Sequence, residues 1–402
     1  MPMMNEPVKL LRMVRLLAMV ALLAATGIAA QAGRGGHLAA FDGHSVVDAG
    51  AGRGVALART SPDPVAAWQN QTAGQRQNGP GAGVDAAADI KSLHVQGNVW
   101  MLIGGGVNAA VQIGDEGVLV VDTMTEPLAD KMLAEIRRLA GDKPIRYVIN
   151  THVHPDHTGG NEKIAAAGQS IVAGNFAGQV GQDAANLAAV LSHENVLNRM
   201  SAPVGSQAPR PFKAWPTDTF FVDDKDIYFN GEGVELVHVP AAHTDGDVMV
   251  WFRKSDVVVA GDVFITTTFP VVDLPLGGNL KGTIAGLNRI IDITIPRDKQ
   301  EGGTYVIPGH GRLSDEADVV EYRDMATIVR DRFQDAIKKG MTVAQVKAAR
   351  LLRDYEGRYG AASGSWTTDA FIEAAYKSLS QAPPTSTSTT SKPAAAGRGG
   401  RR

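Results

Sequence analysis

Three histidines and an aspartate occur within six residues, in the segment NTHVHPDHTGGN. They are His152, His154, Asp156 and His157, in a chain of 402 residues that has only 10 histidines. In an extended segment, residues two apart point to the same side, so His152 and His154 can bind one metal ion. Asp156 and His157 follow a turn and can reach a second ion. The segment therefore predicts a site for two metal ions.

Three more residues of ligand type follow predicted strands later in the chain. They are His243 in AAHTDGD, Asp262 in AGDVF and His310 in PGHG. A lone loop histidine is usually a surface or packing residue, but loops held at one edge of a rigid sheet are where sites are built. We expect His243 to complete the first shell and His310 the second. Asp262, with two carboxylate oxygens, is expected to bridge both ions.

The elements that must position these residues form two similar rounds of strands followed by a helix. In the first round VWMLIG, NAAVQIG and VLVVDT predict an antiparallel meander, residues 126–141 a helix, and RYVIN a strand before the histidine cluster. The second round has the strands VELVHV, DVMVWF and DVVVAG, the helix KGTIAGLNRIIDI and the strand of TYVIPGHG. Two such halves packed sheet against sheet predict an α/β (α+β) fold.

The two ends of the chain differ in composition from its centre. Lys9, Arg12 and Arg15 precede the apolar run LLAMVALLAATGIAA and a small-residue cleavage pattern, which predicts a signal peptide over residues 1–32. A membrane anchor is the alternative, but the run is short of the roughly 20 residues that a spanning helix needs. We therefore expect a periplasmic or secreted protein that keeps no stable membrane anchor after cleavage.

Composition divides the remainder of the chain and limits its function. Residues 33–89 read as a flexible leader rich in glycine and alanine, residues 90–315 as the main domain, residues 316–381 as a helical extension and residues 382–402 as a disordered tail.

The chain has no cysteine, so disulfides, thiolate nucleophiles and cysteine-bound zinc are excluded. The net charge is −3 and both ends are basic, so the body is acidic, which argues against nucleic acid as a partner.

The extension is expected to form three helices that dock on the main domain. The first covers residues 314–340, the second opens with a capping box from Thr342 to Gln345, and the third places Phe371, Ile372 and Leu379 on one face. These helices either wall the substrate pocket or only pack. The other histidines of the domain, His94, His193 and His238, are expected to be structural, with His193 on a helix after ANLAAVL and His238 in a strand.

The motifs HVHPDH, AAHTDGD, AGD and PGHG, in this order, resemble the metal-binding motifs of the metallo-β-lactamase superfamily. The resemblance covers roughly residues 93–315. It implies a four-layer αβ/βα sandwich of two mixed β-sheets flanked by helices, and it makes Asp122 a residue that steadies the histidine loop. Where many true β-lactamases have cysteine or serine, this chain has Asp262, as glyoxalase II does.

The resulting expectation is an exported hydrolase with two zinc ions, with iron or manganese as alternatives, acting on a small-molecule ester, thioester or lactone. Zinc lowers the pKa of a bound water from roughly 15.7 to about 7, which supplies hydroxide at neutral pH, and Asp156 would orient it. A β-lactamase-type amide hydrolase, an iron-dependent redox enzyme and a non-catalytic metal-binding protein remain alternatives. Lys281, about 20 residues after Asp262, is a weak candidate for binding a substrate carboxylate. The sequence leaves the oligomeric state open.

Overall fold

The structure, a computed structural model, describes residues 87–171, 187–205, 207 and 209–381. The predicted signal peptide, most of the predicted leader and the predicted tail lie outside these residues. Among the described residues no helix combines the length and the apolar character that crossing a membrane requires.

The first sheet has seven strands in sequence order along the sheet. They are β1 (Lys91–Gln96), β2 (Val99–Gly104), β3 (Val107–Ile113), β4 (Val118–Val121), β5 (Ile145–Ile149), β6 (Ala189–His193) and β7 (Asp218–Phe220). Strands β1 to β4 pair antiparallel, which confirms the predicted meander, and β4 to β7 pair parallel. Two parallel strands, β4 and β5, thus end at the same edge of this sheet.

The second sheet has six strands in the order β13-β12-β11-β10-β9-β8. They are β8 (Asp224–Phe229), β9 (Glu232–Val239), β10 (Asp247–Phe252), β11 (Val257–Gly261), β12 (Tyr305–Pro308) and β13 (Ser314–Asp315). Its only parallel pair is β11 with β12. Both sheets are therefore mixed, as expected.

The described part of the chain has nine α-helices. They are α1 (Ala129–Ala140), α2 (Pro155–Thr158), α3 (Asn161–Ala166), α4 (Glu194–Ser201), α5 (Leu280–Ile293), α6 (Glu316–Lys338), α7 (Val343–Ala348), α8 (Glu356–Tyr359) and α9 (Thr368–Ser380). Helix α7 begins at the predicted capping box, in which the side chains of Thr342 and Gln345 each accept a hydrogen bond from the backbone N–H of the other residue.

Apolar side chains of the two sheets meet in a shared core, with Met101 and Leu119 from the first sheet beside Val250 and Ile307 from the second. A second cluster buries α1 and α3 against the outer face of the first sheet. A third buries α5, α6 and α9 against the outer face of the second. These layers are the αβ/βα sandwich that the sequence predicts.

The C-terminal helices are held to the second sheet by aromatic contacts. The ring of Phe371 on α9 stacks on Phe269 with centroids 4.9 Å apart, and the hydroxyl of Tyr322 on α6 donates to the carbonyl of Thr268. Because Phe269 and Thr268 follow Asp262 closely in sequence, this docking brings α9 beside the predicted site.

One predicted element is wrong. His193 lies at the end of strand β6, although ANLAAVL predicts a helix there. The segment pairs in parallel with β5 and β7, so the sheet supplies its hydrogen bonds and overrides local helix propensity. The imidazole of His193 stacks on that of His238 from the other sheet, with centroids 3.6 Å apart.

Candidate metal centre

The histidine cluster follows β5, and its backbone is held by Asp122 at the end of the neighbouring strand β4. One carboxylate oxygen of Asp122 accepts from the Thr151 N–H at 2.8 Å, and the other accepts from the Thr151 hydroxyl at 2.7 Å. Asp122 has φ 63°, in the left-handed region that aspartate tolerates better than most residues. Its buried carboxylate therefore fixes the start of the loop.

The distant candidates lie at the matching edge of the second sheet. Asp262 directly follows β11 and His310 follows β12, the two parallel strands of that sheet. His243 is in the turn between β9 and β10. The Asn108 side chain of β3 donates to the Pro308 carbonyl at 2.8 Å, which ties the His310 loop to the first sheet.

The structure brings all seven predicted ligands together. Their ligand atoms form three groups, each with atoms within 4.8 Å of one another. The groups are His152, His154 and His243; His152, His157 and Asp262; and Asp156, His157 and His310. The first and third are the two sets that the spacing predicts, and the second lies between them.

The two carboxylate oxygens of Asp262 face different histidines. Its Oδ2 is 3.6 Å from Nε2 of His243, whereas its Oδ1 is 3.4 Å from Nε2 of both His157 and His310. The side chain is almost completely buried. This placement allows a single carboxylate to serve both groups of ligands.

Each of the five imidazoles is oriented by a hydrogen bond on its outer nitrogen. The contacts are His152 Nδ1 to Thr151 Oγ1 at 3.0 Å, His154 Nε2 to Asp273 at 2.9 Å, His157 Nδ1 to Asp122 at 2.7 Å, His243 Nδ1 to the Val271 carbonyl at 3.0 Å and His310 Nδ1 to the Gly106 carbonyl at 2.8 Å. Carbonyl and carboxylate oxygens only accept, and the Thr151 hydroxyl already donates to Asp122, so each outer nitrogen is the one that donates. The inner nitrogens therefore present lone pairs to the shared centre.

This donor set fits metal ions. The inner nitrogen of His152 and Oδ1 of Asp262 are buried without a hydrogen-bond partner among the described residues. The inner nitrogens of His154 and His243 are 2.8 Å apart, and those of His157 and His310 are 3.5 Å apart. Buried lone pairs and carboxylates that converge in this way require cations between them, and imidazole and carboxylate are the donors that zinc accepts.

Protons compete for the same atoms. Burial alone would lower the pKa of His310, but Asp262 and Asp156 raise it to about 10. For His157 too, burial is opposed by the carboxylates of Asp122, Asp262 and Asp156, and the result is a pKa well above the usual range. Burial, together with electrostatic repulsion by the neighbouring imidazole of His154, lowers the pKa of His243 to about 4. In the absence of a cation, protons on His157 and His310 offset the buried carboxylates.

The sequence analysis missed two residues that support the centre. Asp273 accepts from His154 although 119 positions separate them. Asp247 fixes the His243 turn by accepting from the Thr244 N–H at 2.8 Å and its hydroxyl at 2.7 Å. The DGD pattern of AAHTDGD contains a local hint for Asp247, whereas nothing local distinguishes Asp273.

A cavity of about 530 Å³ opens onto Asp156, Asp262 and His243. Its far wall is the face of α9 that includes Ala370, Ala374 and Lys377. The C-terminal extension therefore walls the pocket, one of the two roles expected for it. Lys281 is exposed and is not among the lining residues, so the structure does not place it as a substrate ligand.

Comparison with known proteins gives one family and several distant relatives. Residues 102–310 match the model of the metallo-beta-lactamase superfamily. A linear primary-alkylsulfatase from Pseudomonas sp. is 26% identical over 273 residues, covering 60% of this chain and 50% of the relative. The alpha subunit of a 2,4-dinitroanisole O-demethylase from Nocardioides sp. is 24% identical over 197 residues, covering 48% of this chain and 53% of the relative. The chain thus spans about half the length of the curated relatives that it matches.

Among solved structures, a stereoselective inverting sec-alkylsulfatase from Pseudomonas sp. superimposes with a TM-score of 0.52 at 16% identity. The match covers 72% of this chain and 50% of that one. At this identity the likeness concerns the fold.

Proposed function

This chain belongs to the metallo-beta-lactamase superfamily, and from that premise we propose that it is an exported hydrolase which uses two zinc ions to cleave an ester bond in a small molecule. The observation that carries the proposal is the gathering of five imidazoles around Asp262, whose two oxygens face separate ligand groups and lie within 4.0 Å of four of the imidazoles. The expected export rests on the basic, apolar and small-residue succession at the N-terminus.

The residues divide between two ions. His152, His154 and His243 would hold the first, Asp156, His157 and His310 the second, and Asp262 would bridge them. Bound zinc supplies Lewis acidity, which activates water at neutral pH and stabilises negative charge on the substrate.

Asp156 is the residue proposed to handle the proton. Its side chain lines the cavity, and its Oδ2 is 3.4 Å from Nε2 of His310. In the metal-free protein burial would raise the pKa of Asp156, but the positive charges of His157 and His310 hold it below its usual range. Bound zinc, which would replace those protons, is also positive and would keep the carboxylate ionised. The carboxylate is therefore ionised at neutral pH, so it can accept a hydrogen bond from the attacking water and pass its proton to the leaving group.

The cavity supports a small substrate that is largely apolar. Its volume is within the range of roughly 300–1,000 Å³ typical of small-molecule sites. With Asp262 in place of cysteine or serine, carboxylic esters, thioesters and lactones are the first candidates, and β-lactams are expected to be poor substrates. The sulfate ester of an alcohol is the second candidate, because the alkylsulfatase is 26% identical over 273 residues.

The test measures hydrolysis by zinc-loaded protein, with and without a chelator. The panel contains 4-nitrophenyl esters, an acyl thioester, a lactone, dodecyl sulfate and a β-lactam. We expect chelator-sensitive turnover of an ester that Asp156→Asn abolishes. Asp324→Asn, which makes the same change at an exposed position on α6, should leave it intact.

Two results would contradict the proposal. Efficient β-lactam hydrolysis without turnover of the other compounds would show an amide hydrolase. A fully metallated protein that is inactive on the whole panel would favour a metal-binding protein without catalysis.

A further inference from the structure

One wall of the cavity over the ligand cluster is a single face of α9 and a residue two positions before the helix. The contributing residues are three or four positions apart, as one helical face requires: Trp366, Ala370, Glu373, Ala374 and Lys377. The 271–275 segment contributes Val271, Val272, Leu274 and Pro275. Most of this part of the cavity is therefore apolar.

The acidic side chains in this part of the cavity already have partners. The carboxylate of Asp273 accepts from His154 at 2.9 Å and from the Leu276 N–H at 3.1 Å. The carboxylate of Glu373 is 2.8 Å from the ammonium of Lys347. Neither acid is left to attract a cationic ligand.

Lys377 is the cation on this wall. It is exposed, and no carboxylate of the described residues forms an ion pair with it, although Glu373 lies four positions earlier on the same face. Glu373 is bound to Lys347, which also pairs with Asp369 at 3.0 Å. The ammonium of Lys377 thus remains available to a ligand in the cavity.

We propose that the substrate carries a second, anionic group, a carboxylate, joined to the scissile ester by an apolar chain, and that Lys377 binds this group. The place of the ester at the ligand cluster rests on the proposed function, whereas recognition by α9 does not depend on turnover. Lys377 acts as a specificity-determining residue, and the apolar faces of α9 and of the 271–275 segment hold the connecting chain.

The test is binding to zinc-loaded protein, measured by calorimetry. Unbranched dicarboxylates of four to eight carbons are each compared with the monocarboxylate of the same length, so that one carboxylate is common to both. After correction for the two-fold statistical advantage of two equivalent ends, we expect one length to bind roughly two- to five-fold more tightly as the dicarboxylate, the size of an exposed ion pair. Raising the salt concentration should weaken this preference, because the screening length falls from about 10 Å at 0.1 M to about 3 Å at 1 M.

Variants assign the preference to one side chain. Lys377→Met should abolish it. Lys377→Glu should replace it with a preference for the ω-amino acid of the same length. Lys338→Met, at an exposed position on α6 away from the cavity, should retain the wild-type preference.

Failure of this inference is distinct from failure of the proposed function. If no length shows a preference, or if Lys377→Met retains it, the inference is overturned whatever the protein hydrolyses. If the preference depends on Lys377 but no ester is cleaved, the inference stands and the hydrolase proposal fails.

Discussion

Oδ2 of Asp273 lies 2.9 Å from Nε2 of His154, and this contact determines which nitrogen of His154 faces the shared centre. The other nitrogen, Nδ1, is 2.8 Å from Nε2 of His243. A carboxylate behind a metal-binding imidazole fixes its tautomer and raises its basicity. Asp273 is therefore a positioning residue for the first group of ligands.

Replacing Asp273 with asparagine should weaken zinc binding by roughly 10- to 100-fold, the usual effect of losing such a partner. Both oxygens of Asp273 accept, one from His154 and the other from the Leu276 N–H, whereas asparagine has only one acceptor oxygen, so one of the two hydrogen bonds must be lost. Competition with a chromogenic chelator measures the affinity, and Asp324→Asn is the control for loss of one negative charge. Equal affinity in the two variants would show that Asp273 does not orient His154.

Asp262→Ala should lose more zinc than His310→Ala. The carboxylate faces both groups, with Oδ2 at 3.6 Å from His243 and Oδ1 at 3.4 Å from His310, whereas His310 contacts only one group. Zinc per chain after equal dialysis measures the difference. An Asp262→Ala protein that retains two zinc ions would exclude a bridging role.

Gly309→Ala should lower zinc affinity although glycine carries no ligand atom. A Cβ at position 309 would lie 2.0 Å from Oδ1 of Asp262 and 2.9 Å from the carbonyl carbon of Gly261, so the carboxylate must move. Gly357→Ala is the matched control, because its Cβ would meet nothing within 4 Å. We expect the zinc affinity of Gly309→Ala to fall by at least about ten-fold, the lower limit of the effect seen when the groups that orient a metal ligand are disturbed. Identical affinities in the two variants would contradict it.

The zinc ligands should release about two protons per chain at pH 7.5, in addition to the proton lost by zinc-bound water, because ligands must lose their protons to bind metal. In the metal-free protein carboxylates raise the pKa of His310 to about 10 and that of His157 well above its usual range, so both imidazoles are protonated at this pH. Apparent affinity should therefore keep rising with pH above the ordinary histidine range, towards pH 10.

The same shifts fix the sign of the stability change. Since the folded pKa of His310 exceeds the unfolded value, its contribution to the stability of the metal-free protein is complete below about pH 6.5 and is lost as the pH rises through about 10.

The protons released on zinc binding are counted by calorimetry in buffers of different ionisation enthalpy. Release of none at pH 7.5 would show that both imidazoles are already neutral.

The exported protein should begin at Gly33. The basic residues, the apolar run and the small residues before position 33 follow the pattern of a cleavable signal. Intact-mass measurement of protein recovered from the periplasm or medium tests this expectation. A mature species that still contains residues 1–32 would show that the segment is an anchor.

Local sequence determined many of the elements and the ligand set. Alternation and helical periodicity predicted the meander, α1, α5 and α6, because burial of one face imposes those periods. The HVHPDH spacing and three ligand-type residues after strands identified the seven side chains that the structure brings together. These inferences use the spacing of residues close in sequence and the position of a residue just after a strand. Both are visible in the sequence without coordinates.

Contacts between distant segments required the tertiary structure. The contact of Asp273 with His154 depends on the path of the 271–279 segment around the His243 turn, where the Asp273 N–H donates to the His243 carbonyl at 3.0 Å. The choice of Lys377 over Lys281 depends on where α9 docks, which the stacking of Phe371 on Phe269 decides. Helix propensity misplaced His193 because pairing with β5 and β7 outweighs a local preference. Local patterns permit several arrangements of distant segments equally well, and packing between those segments selects one of them. The tertiary structure therefore decided which residues orient the ligands and which helix forms the wall of the pocket.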